Sequence, residues 1–506
     1  MTEDHGRVWW VRGGQLLTHR DGRWGVERAD IQVSGSSIAR VDTSPAQVEG
    51  QAGDLNAAGL LIIPGLINAH VHSNDDFLRG RVDKLPLEVY MLMAVPVTGV
   101  AELRPEDLEV RTLLGAAEGL KTGTTCFLDD CYHIDRLRPE AIDAVLGAYN
   151  RIGMRAWVTA NLSDKPMPDT IPFVKDYLDE ERYAEIARRP FRAEEALAYC
   201  EEAIEKHNRS ETGLVKFAMA ASGPQRCTDA FLTKIWEVAE RHRVPCVSHV
   251  LETRIQAITG DIFYGTTLIT HMDALGCLTP HTVIAHGVWV TDADITLIAD
   301  RGATVVHNPT SNLRLGSGVA PIRKMLTAGV NVALGADGMT SNDAQNLFLE
   351  MRLAGCLHNI KGQPYDQWVG AQEAFSMATH GGASAIGMGG RLGEVAEGRL
   401  ADFTLLDMDS FAYTPMNEPV QNIVFSEYGQ SVRHVVVSGE IVVRDRKLVN
   451  CDEGELYARG REAASRFFTD NAKAFERIPE FLPAFEAAYR RASTMEFRRD
   501  RWLPGE

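Results

Sequence analysis

Short apolar runs alternate with amphipathic segments between residues 64 and 391, and this alternation limits the fold more than any other feature. The intervening segments, such as AEEALAYCEEAIEKH and DAFLTKIWEVAERHR, repeat apolar residues at helical spacing. A strand followed by a helix, repeated about eight times, predicts an α/β fold with a parallel barrel. The strand-like runs are TTCFLDD, MRAWVTA, LVKFAMAAS, VPCVSHV, TVIAHGV, ATVVHNP and NVALGAD.

Both ends of the chain are rich in short strands instead. Runs such as VWWVRGGQLLTH and GLLIIPGLI precede the barrel, and RLADFTLLD and VRHVVVSGEIVVRDRKLV follow it. We therefore predict one discontinuous β-domain from residues 1–63 and 392–450, interrupted by a barrel at 64–391. Residues 451–506 have a helical, charged pattern and predict a C-terminal extension that packs either on the barrel or on a second subunit.

Residues 161–191, which follow the third predicted barrel strand, are long for a barrel connection. Insertions at the carboxyl ends of barrel strands commonly line or cover a substrate pocket. For most of these residues, an excursion over the surface is the interpretation that we prefer.

The 506 residues carry a formal net charge of −17, which repels phosphate backbones and anionic membranes. The chain shows neither a secretory signal pattern nor a window of about 18 apolar residues. The eight cysteines are scattered and match neither a disulfide framework nor a zinc knuckle. These features predict a cytoplasmic protein whose partner is a small molecule rather than nucleic acid or a membrane.

Two histidines, His70 and His72, end the first barrel strand in the run PGLINAHVH. Alternate residues of a strand face the same side, so both imidazoles point the same way. The carboxyl ends of barrel strands form the active-site face, and imidazoles that converge there favour a metal ion.

Three further strand ends carry residues of related chemistry. His249 ends the strand in VPCVSHVLE, and Glu252 follows in the loop, where its carboxylate can act as a proton shuttle to a metal-bound water. His286 ends the strand in TVIAHG, and Asp337 ends the strand in VALGADG. Each residue alone is compatible with packing or with a turn, but such strand ends in order favour a metal site.

The remaining histidines do not share this pattern. His133 and His307 follow strands close to the predicted site, yet solvated or structural roles suit them better, as they do His271, His281 and His380. The others are assigned to the surface or the outer domain without a role: His5, His19, His207, His242, His358 and His434.

The order of these motifs resembles the amidohydrolase superfamily over residues 8–449. The closer resemblance is to its one-metal aminohydrolase branch, which includes cytosine deaminase-like enzymes, S-adenosylhomocysteine deaminases, and the atrazine chlorohydrolase and triazine hydrolase group. It implies a TIM-type (β/α)8 barrel with a small β-sandwich, and a homo-oligomer. The motifs that carry it are PGLINAHVH, SHVLETRIQ, IAHGV, HNPTSNLRLGSGVAPI and LGADG.

The resemblance also implies the roles of the site residues. Glu252 and His286 would be catalytic, and Asp337 would both bind the metal and accept a proton. Members with two metal ions bridge them through a carboxylated lysine at the end of the fourth strand, whereas Lys216 lies at the beginning of that strand here. One divalent ion is therefore implied, zinc with ferrous iron as the alternative, bound by His70, His72, His249 and Asp337.

The implied activity is cleavage of a C–N bond, above all hydrolytic deamination of an N-heterocyclic small molecule. Metal-bound hydroxide would attack the substrate, His286 would polarise it, and Glu252 would protonate the ring nitrogen and then assist the leaving amine. Asn312 is expected to fix its loop. The candidate substrate contacts are Gln225, Arg79, Asn308 and Ser311.

Three alternatives stay open beside deamination. The same site is compatible with displacement of chloride or a thiol group, or with cleavage of an amide or urea bond. A catalytically inactive scaffold predicts missing ligands, whereas all six key residues are present. The third alternative is a binding module without a metal, which metal analysis distinguishes.

Overall fold

The computed structural model describes residues 7–44, 53–94, 96–131, 138–187, 192–360, 362–497 and 500–502. His5 and His133 lie outside the described residues.

The first strands of the chain belong to a sheet that lies outside the barrel. Strand β1 pairs with β2 in antiparallel register and with β4 and β5 in parallel. Gly65 joins β5 to the first barrel strand, and a Cβ there would lie 2.2 Å from Thr125 Oγ1, so only glycine fits. The strands are β1 (Val8–Arg20), β2 (Arg23–Ser34), β3 (Ser37–Asp42), β4 (Leu55–Asn56) and β5 (Leu60–Pro64).

Nine strand segments form the closed parallel barrel. The eighth barrel strand has two segments: β13 pairs with β12, and β14 pairs with β6, which closes the ring. The segments are β6 (Leu66–His72), β7 (Thr124–Cys131), β8 (Arg155–Leu162), β9 (Val215–Ala221), β10 (Cys246–Val250), β11 (Thr282–His286), β12 (Thr304–His307), β13 (Asn331–Leu334) and β14 (Asp337–Gly338).

Four strands from the second half of the chain return to the outer sheet. Strand β15 pairs with β5, so the two halves of the sequence share one sheet in the order β18-β17-β16-β15-β5-β1-β2-β3. Trp9 Nε1 donates to the carbonyl oxygen of Gly439 at 3.2 Å, which draws distant parts of this β-sandwich together. The strands are β15 (Phe403–Asp407), β16 (Val432–Val437), β17 (Glu440–Arg444) and β18 (Lys447–Leu448).

The helices cover the barrel and form the C-terminal extension. Many of the helices begin after a residue whose side chain caps the first turn. For example, the Thr228 side chain accepts a hydrogen bond from the backbone N–H of Phe231 at the start of α6. Those up to the end of the barrel are α1 (Leu87–Ala94), α2 (Pro105–Lys121), α3 (Pro139–Ile152), α4 (Glu180–Ile186), α5 (Ala193–His207), α6 (Asp229–His242), α7 (Arg254–Tyr264), α8 (Leu268–Ala274), α9 (Asp292–Arg301), α10 (Pro309–Arg314), α11 (Ile322–Thr327), α12 (Leu347–Leu357), α13 (Ala371–Ser376) and α14 (Gly382–Ala385). The later ones are α15 (Pro419–Phe425), α16 (Glu453–Asp470), α17 (Ala472–Glu476) and α18 (Ile478–Thr494).

The C-terminal extension packs on the barrel of its own chain, one of the two possibilities that the sequence left open. Phe481 and Phe485 of α18 are fully buried in one apolar cluster with Leu92 of α1, Val174 and Ile255. In the described part of the chain, no helix is long and apolar enough to cross a membrane.

Candidate metal centre

Barrel strands bring the predicted metal ligands together. His70 and His72 come from β6, His249 from β10 and Asp337 from β14. His72 Nε2 lies 3.2 Å from Asp337 Oδ1 and 3.2 Å from His249 Nε2, and His70 Nε2 lies 3.6 Å from the same Asp337 oxygen. All four residues are buried. Three imidazoles and a carboxylate at this spacing form the kind of cluster that binds one metal ion.

Backbone carbonyls fix the orientation of two of the imidazoles. His72 Nδ1 lies 2.6 Å from the carbonyl oxygen of Asp130, and His249 Nδ1 lies 3.0 Å from that of Ser222. A carbonyl oxygen only accepts, so each Nδ1 carries the proton and donates it. Each of these two rings thereby presents its Nε2 to the cluster.

His70 provides a test of whether these residues fit a metal ion. Its side chain is fully buried, and neither ring nitrogen has a hydrogen-bond partner among the described residues. Burial lowers the pKa of His70 and of His249, which keeps both imidazoles neutral and able to bind a metal. An unpartnered buried nitrogen costs free energy, and a cation within the cluster would remove that cost. The donor set therefore fits a divalent ion.

The backbone at three of the strand ends adopts a conformation that side-chain-bearing residues rarely take. Leu251, His286 and Asp337 have φ values of 55°, 74° and 65°. In this left-handed region Cβ crowds the following carbonyl oxygen, and such strain concentrates at functional sites. The strain at His286 and Asp337 lies at the residues whose side chains enter the site.

Glu252 and His286 lie beside the ligand cluster. His286 Nε2 is 3.6 Å from Glu252 Oε2 and 3.8 Å from Asp337 Oδ2. His286 Nδ1 donates to Asn312 Oδ1 at 2.9 Å, and Ser311 Oγ donates to Asp337 Oδ2 at 2.6 Å. Burial raises the pKa of Glu252 to about 7, which suits a group that exchanges protons near neutral pH.

A cavity of about 750 Å³ opens onto this cluster. That volume lies in the range of small-molecule sites. Much of its wall comes from outside the barrel strands: α1, the loop at 96–103, the insertion that follows β8, and Phe467 of α16. At the inner end the cavity is lined by His72, His249, Glu252, His286 and Asp337.

A model of the amidohydrolase family matches residues 61–442. The chain belongs to the amidohydrolase family. The resemblance inferred from the motifs is thus confirmed, and membership makes this amidohydrolase a hydrolase of C–N bonds.

Relatives of this amidohydrolase cover most of its length. The 5-methylthioadenosine/S-adenosylhomocysteine deaminase of Syntrophobacter fumaroxidans is 35% identical over 81% of this chain and 86% of its own. An adenosine deaminase from Xanthomonas campestris with bound zinc is 27% identical, with a TM-score of 0.79 over 91% of this chain and 98% of its own. The triazine hydrolase of Arthobacter aurescens shares the fold, with a TM-score of 0.81 at 23% identity over 90% of this chain and 99% of its own. The predicted barrel with a β-sandwich is therefore confirmed.

None of the four predicted substrate contacts of this amidohydrolase lines the cavity. Ser311 instead donates to the Asp337 carboxylate, and Asn308 Nδ2 lies 3.3 Å from His286 Nδ1.

The other two predicted contacts lie outside the cavity. Arg79 contacts Glu118 and Met339. Gln225 is buried and lines a separate small pocket of about 20 Å³. The structure gives no support to direct substrate contact by Gln225, Arg79, Asn308 or Ser311.

Part of the insertion at 161–191 lines the cavity, as insertions at this face of a barrel commonly do. Seven of its described residues, from Asn161 to Ile186, contribute to the wall, and most of the others do not. His358 departs from expectation, because it is only 2% exposed and its ring centroid lies 5.3 Å from that of His307. Lys216 lies near the start of β9, as predicted, with its ammonium 5.1 Å from the Trp157 ring.

Sequence reasoning missed several polar residues that line the cavity: Asp75, Tyr90, Arg226 and Ser341. Asp75 accepts from Thr340 Oγ1 at 2.6 Å. Its position three residues after His72 was an available signal, because the loop that follows a ligand strand begins at the active-site face. Arg226 directly follows Gln225, and loop sequence alone does not determine which of two neighbours faces a cavity.

Proposed function

We propose that this amidohydrolase catalyses the hydrolytic deamination of an N-heterocyclic small molecule, with a nucleoside of the adenosine type as the first candidate. The observation that carries the proposal is the convergence of the His70, His72, His249 and Asp337 donors with Glu252 and His286 at the inner end of one cavity. Relatives named as 5-methylthioadenosine/S-adenosylhomocysteine deaminase and adenosine deaminase support the choice of reaction and ring.

A divalent ion held by the three imidazoles and Asp337 would lower the pKa of a bound water and so supply the nucleophile. Zinc is the proposed ion, with ferrous iron as the alternative. Overall, water replaces the exocyclic amine of a C(NH2)=N group, giving a ring carbonyl, a protonated ring nitrogen and ammonia.

Three side chains of this chain move the protons and polarise the substrate. Asp337 Oδ2, oriented by Ser311, accepts the proton of the attacking water. Glu252 donates a proton to the ring nitrogen next to the attacked carbon and then assists proton transfer to the departing amine. His286 Nε2, with its ring fixed by Asn312, polarises the substrate at the attacked carbon.

The remaining expectations belong to the same proposal: a cytoplasmic location, a homo-oligomer, a small-molecule partner without nucleic acid or a membrane, and the domain boundaries at 63/64, 391/392 and 450/451.

The test is metal content per chain measured together with ammonia release. The panel contains 5-methylthioadenosine, S-adenosylhomocysteine, adenosine, aminopyrimidines, pterins and aminotriazines, and Asp337→Ala is the metal-deficient control. About one zinc or iron per chain, with ammonia from a panel member, supports the proposal. One metal without ammonia from any of them would favour dechlorinating, amide or urea hydrolysis. Absence of metal after reconstitution would overturn the proposed mechanism.

A further inference from the structure

The C-terminal extension ends in a segment that contacts loops following three successive barrel strands. This C-terminal segment comprises residues 492–497 and 500–502 of the described chain. The three loops follow β10, β11 and β12: the first carries Glu252, the second follows His286 at the end of β11, and the third follows helix α10, which carries Ser311 and Asn312. The segment thus lies against the supports of the catalytic side chains, although it contributes none of them.

The loop that carries Glu252 is attached through Arg254. Arg254 Nη1 donates to the carbonyl oxygens of Ala492 at 2.8 Å and Ser493 at 2.9 Å, and Nη2 donates to that of Met495. Arg254 opens helix α7 two residues after Glu252, so these bonds fix the start of the helix that follows the catalytic carboxylate.

The loop that follows His286 is attached through Arg501. Arg501 Nε donates to the carbonyl oxygen of Val288 at 3.0 Å, and Nη2 donates to that of Val290 at 2.6 Å. Between them, Trp289 is fully buried, and its ring packs edge-on against Trp502 with centroids 5.4 Å apart. A planar guanidinium that spans two carbonyls two residues apart holds the loop in one conformation.

The loop that follows Ser311 and Asn312 is attached to the same residues. The backbone N–H of Val319 donates to the carbonyl oxygen of Arg501 at 2.8 Å, and Trp502 Nε1 donates to that of Gly316 at 2.9 Å. Gly318 has φ 117°, and a Cβ there would lie 2.9 Å from the Arg501 carbonyl oxygen. This close approach requires glycine.

We propose that Arg501 is a positioning residue for deamination: it holds the loops after β11 and β12, and thereby His286 and the residues that orient His286 and Asp337. The inference rests on the proposed function for its kinetic readout. Its structural readout does not depend on activity. A displacement of about 1 Å in a catalytic group can cost on the order of 100-fold in rate, so loosened loops lower turnover without loss of any ligand.

The experiment compares Arg501→Ala with the metal-loaded wild-type enzyme. Arg490→Ala is the matched control, because Arg490 lies on the same extension, is 78% exposed and pairs only with Glu486 among the described residues. The readouts are kcat and KM on the panel substrate that reacts, metal per chain, and hydrogen exchange of the amides at 286–290 and 316–319.

We expect Arg501→Ala to lower kcat about 10- to 100-fold, with metal content retained and faster exchange at 286–290, which lose the guanidinium. Exchange at 316–319 should change less, because the backbone carbonyl of residue 501 and the Trp502 ring still accept from and donate to that loop. Arg501→Lys, which can reach only one of the two carbonyls, should recover part of the rate, and Arg490→Ala should match the wild type. Unchanged exchange at 286–290, or kcat within about twofold of wild type, would overturn the proposal. A parallel loss of metal and of protection throughout the barrel would assign Arg501 a merely structural role.

Two further measurements keep the inference testable. If Arg501→Ala is insoluble, Trp502→Phe removes the donor to Gly316 while keeping a ring, and exchange at 316–319 should still accelerate. If the wild-type enzyme deaminates nothing on the panel, the proposed function fails, whereas the exchange measurement still decides whether Arg501 holds the loops.

Discussion

Glu252 differs from its neighbours in the site because it lies in a loop rather than on a barrel strand. Glu252 is 2% exposed, and its carboxylate faces His286. Thr253 caps the helix α7 that follows, and Gln256 lies in the first turn of that helix. The backbone N–H of Glu252 donates to Gln256 Oε1 at 2.5 Å. The backbone at Glu252 is therefore held by its own chain segment, independently of a metal ion.

We predict that Glu252→Gln binds the metal but loses most turnover. The amide has nearly the same shape but cannot transfer a proton, and general acid–base catalysis contributes about 100- to 10,000-fold. Metal per chain and steady-state ammonia release check this. Glu252→Asp, which keeps the acid at a shorter reach, serves as the comparison. Loss of metal in Glu252→Gln would show instead that Glu252 is a ligand.

At the residue scale, the directions of side chains on strands were predictable, as was the position of Glu252 in the loop after His249, whereas the directions of Ser311 and Asn308 were not. Strand period and the polarity of a parallel barrel place His70, His72 and His249 at one face without further information. Ser311 and Asn308 follow β12, where no period fixes side-chain direction. Ser311 donates to Asp337 and Asn308 lies beside His286, and neither faces the cavity. A polar residue near a strand end can thus be predicted to lie at the site, but the group that its side chain contacts cannot.

At the element scale, the cavity wall is built by segments that are distant in sequence. The insertion after β8 and the C-terminal extension meet through ion pairs such as Arg491–Asp176 at 2.8 Å and through Arg477–Glu185. The short apolar runs in the sequence predicted most of the barrel strands, because a strand that is buried on both faces has apolar residues at successive positions. Contacts between segments about 300 residues apart leave no pattern in the local sequence. The wall that these segments form was therefore not predictable.

Phe467 is the residue through which α16 reaches the cavity, and we predict that Phe467→Ala changes substrate range. Removing the ring widens the wall, so a substrate with a larger substituent on its non-reacting part should gain about tenfold in kcat/KM relative to a small one. The kinetics should be measured well below the unfolding midpoint, because a Phe-to-Ala change in a core costs about 3–5 kcal/mol.

Phe468→Ala is the matched control for that experiment. Phe468 is adjacent, packs against Phe475 with centroids 5.8 Å apart, and is not among the residues that line the cavity. Equal shifts in substrate preference for the two variants would contradict a specific role for Phe467.

At the scale of the whole molecule, one buried ion pair joins the barrel to the β-sandwich. Arg155 of β8 contacts Asp402 with both ends of its guanidinium, at 2.8 and 2.9 Å, and both side chains are 2% exposed. Asp402 also accepts from the backbone N–H groups of Ser438 and Gly65, through its carboxylate and its carbonyl oxygen. This contact therefore links the two parts of the molecule.

We predict that Arg155→Met lowers the free energy of unfolding by about 3–5 kcal/mol, because it leaves the Asp402 carboxylate buried without a cation. The double variant Arg155→Met/Asp402→Leu should recover most of that loss. Urea unfolding followed by far-UV circular dichroism measures both. Lys324→Met, which breaks an exposed pair with Asp292, should cost about 1 kcal/mol or less. A loss in Arg155→Met no larger than in Lys324→Met would refute the role of the pair.

The division between barrel strands and added segments has an evolutionary consequence. The proposed metal ligands and catalytic residues lie on or just after barrel strands, whereas α1, the insertion after β8 and α16 supply the outer wall of the cavity. Natural selection can therefore exchange the wall for a new substrate while leaving the reaction intact. For directed evolution, a library confined to 96–103, 161–187 and Phe467 samples new specificities at little risk to the catalyst, and chimaeras with related enzymes have natural crossover points at the same segments.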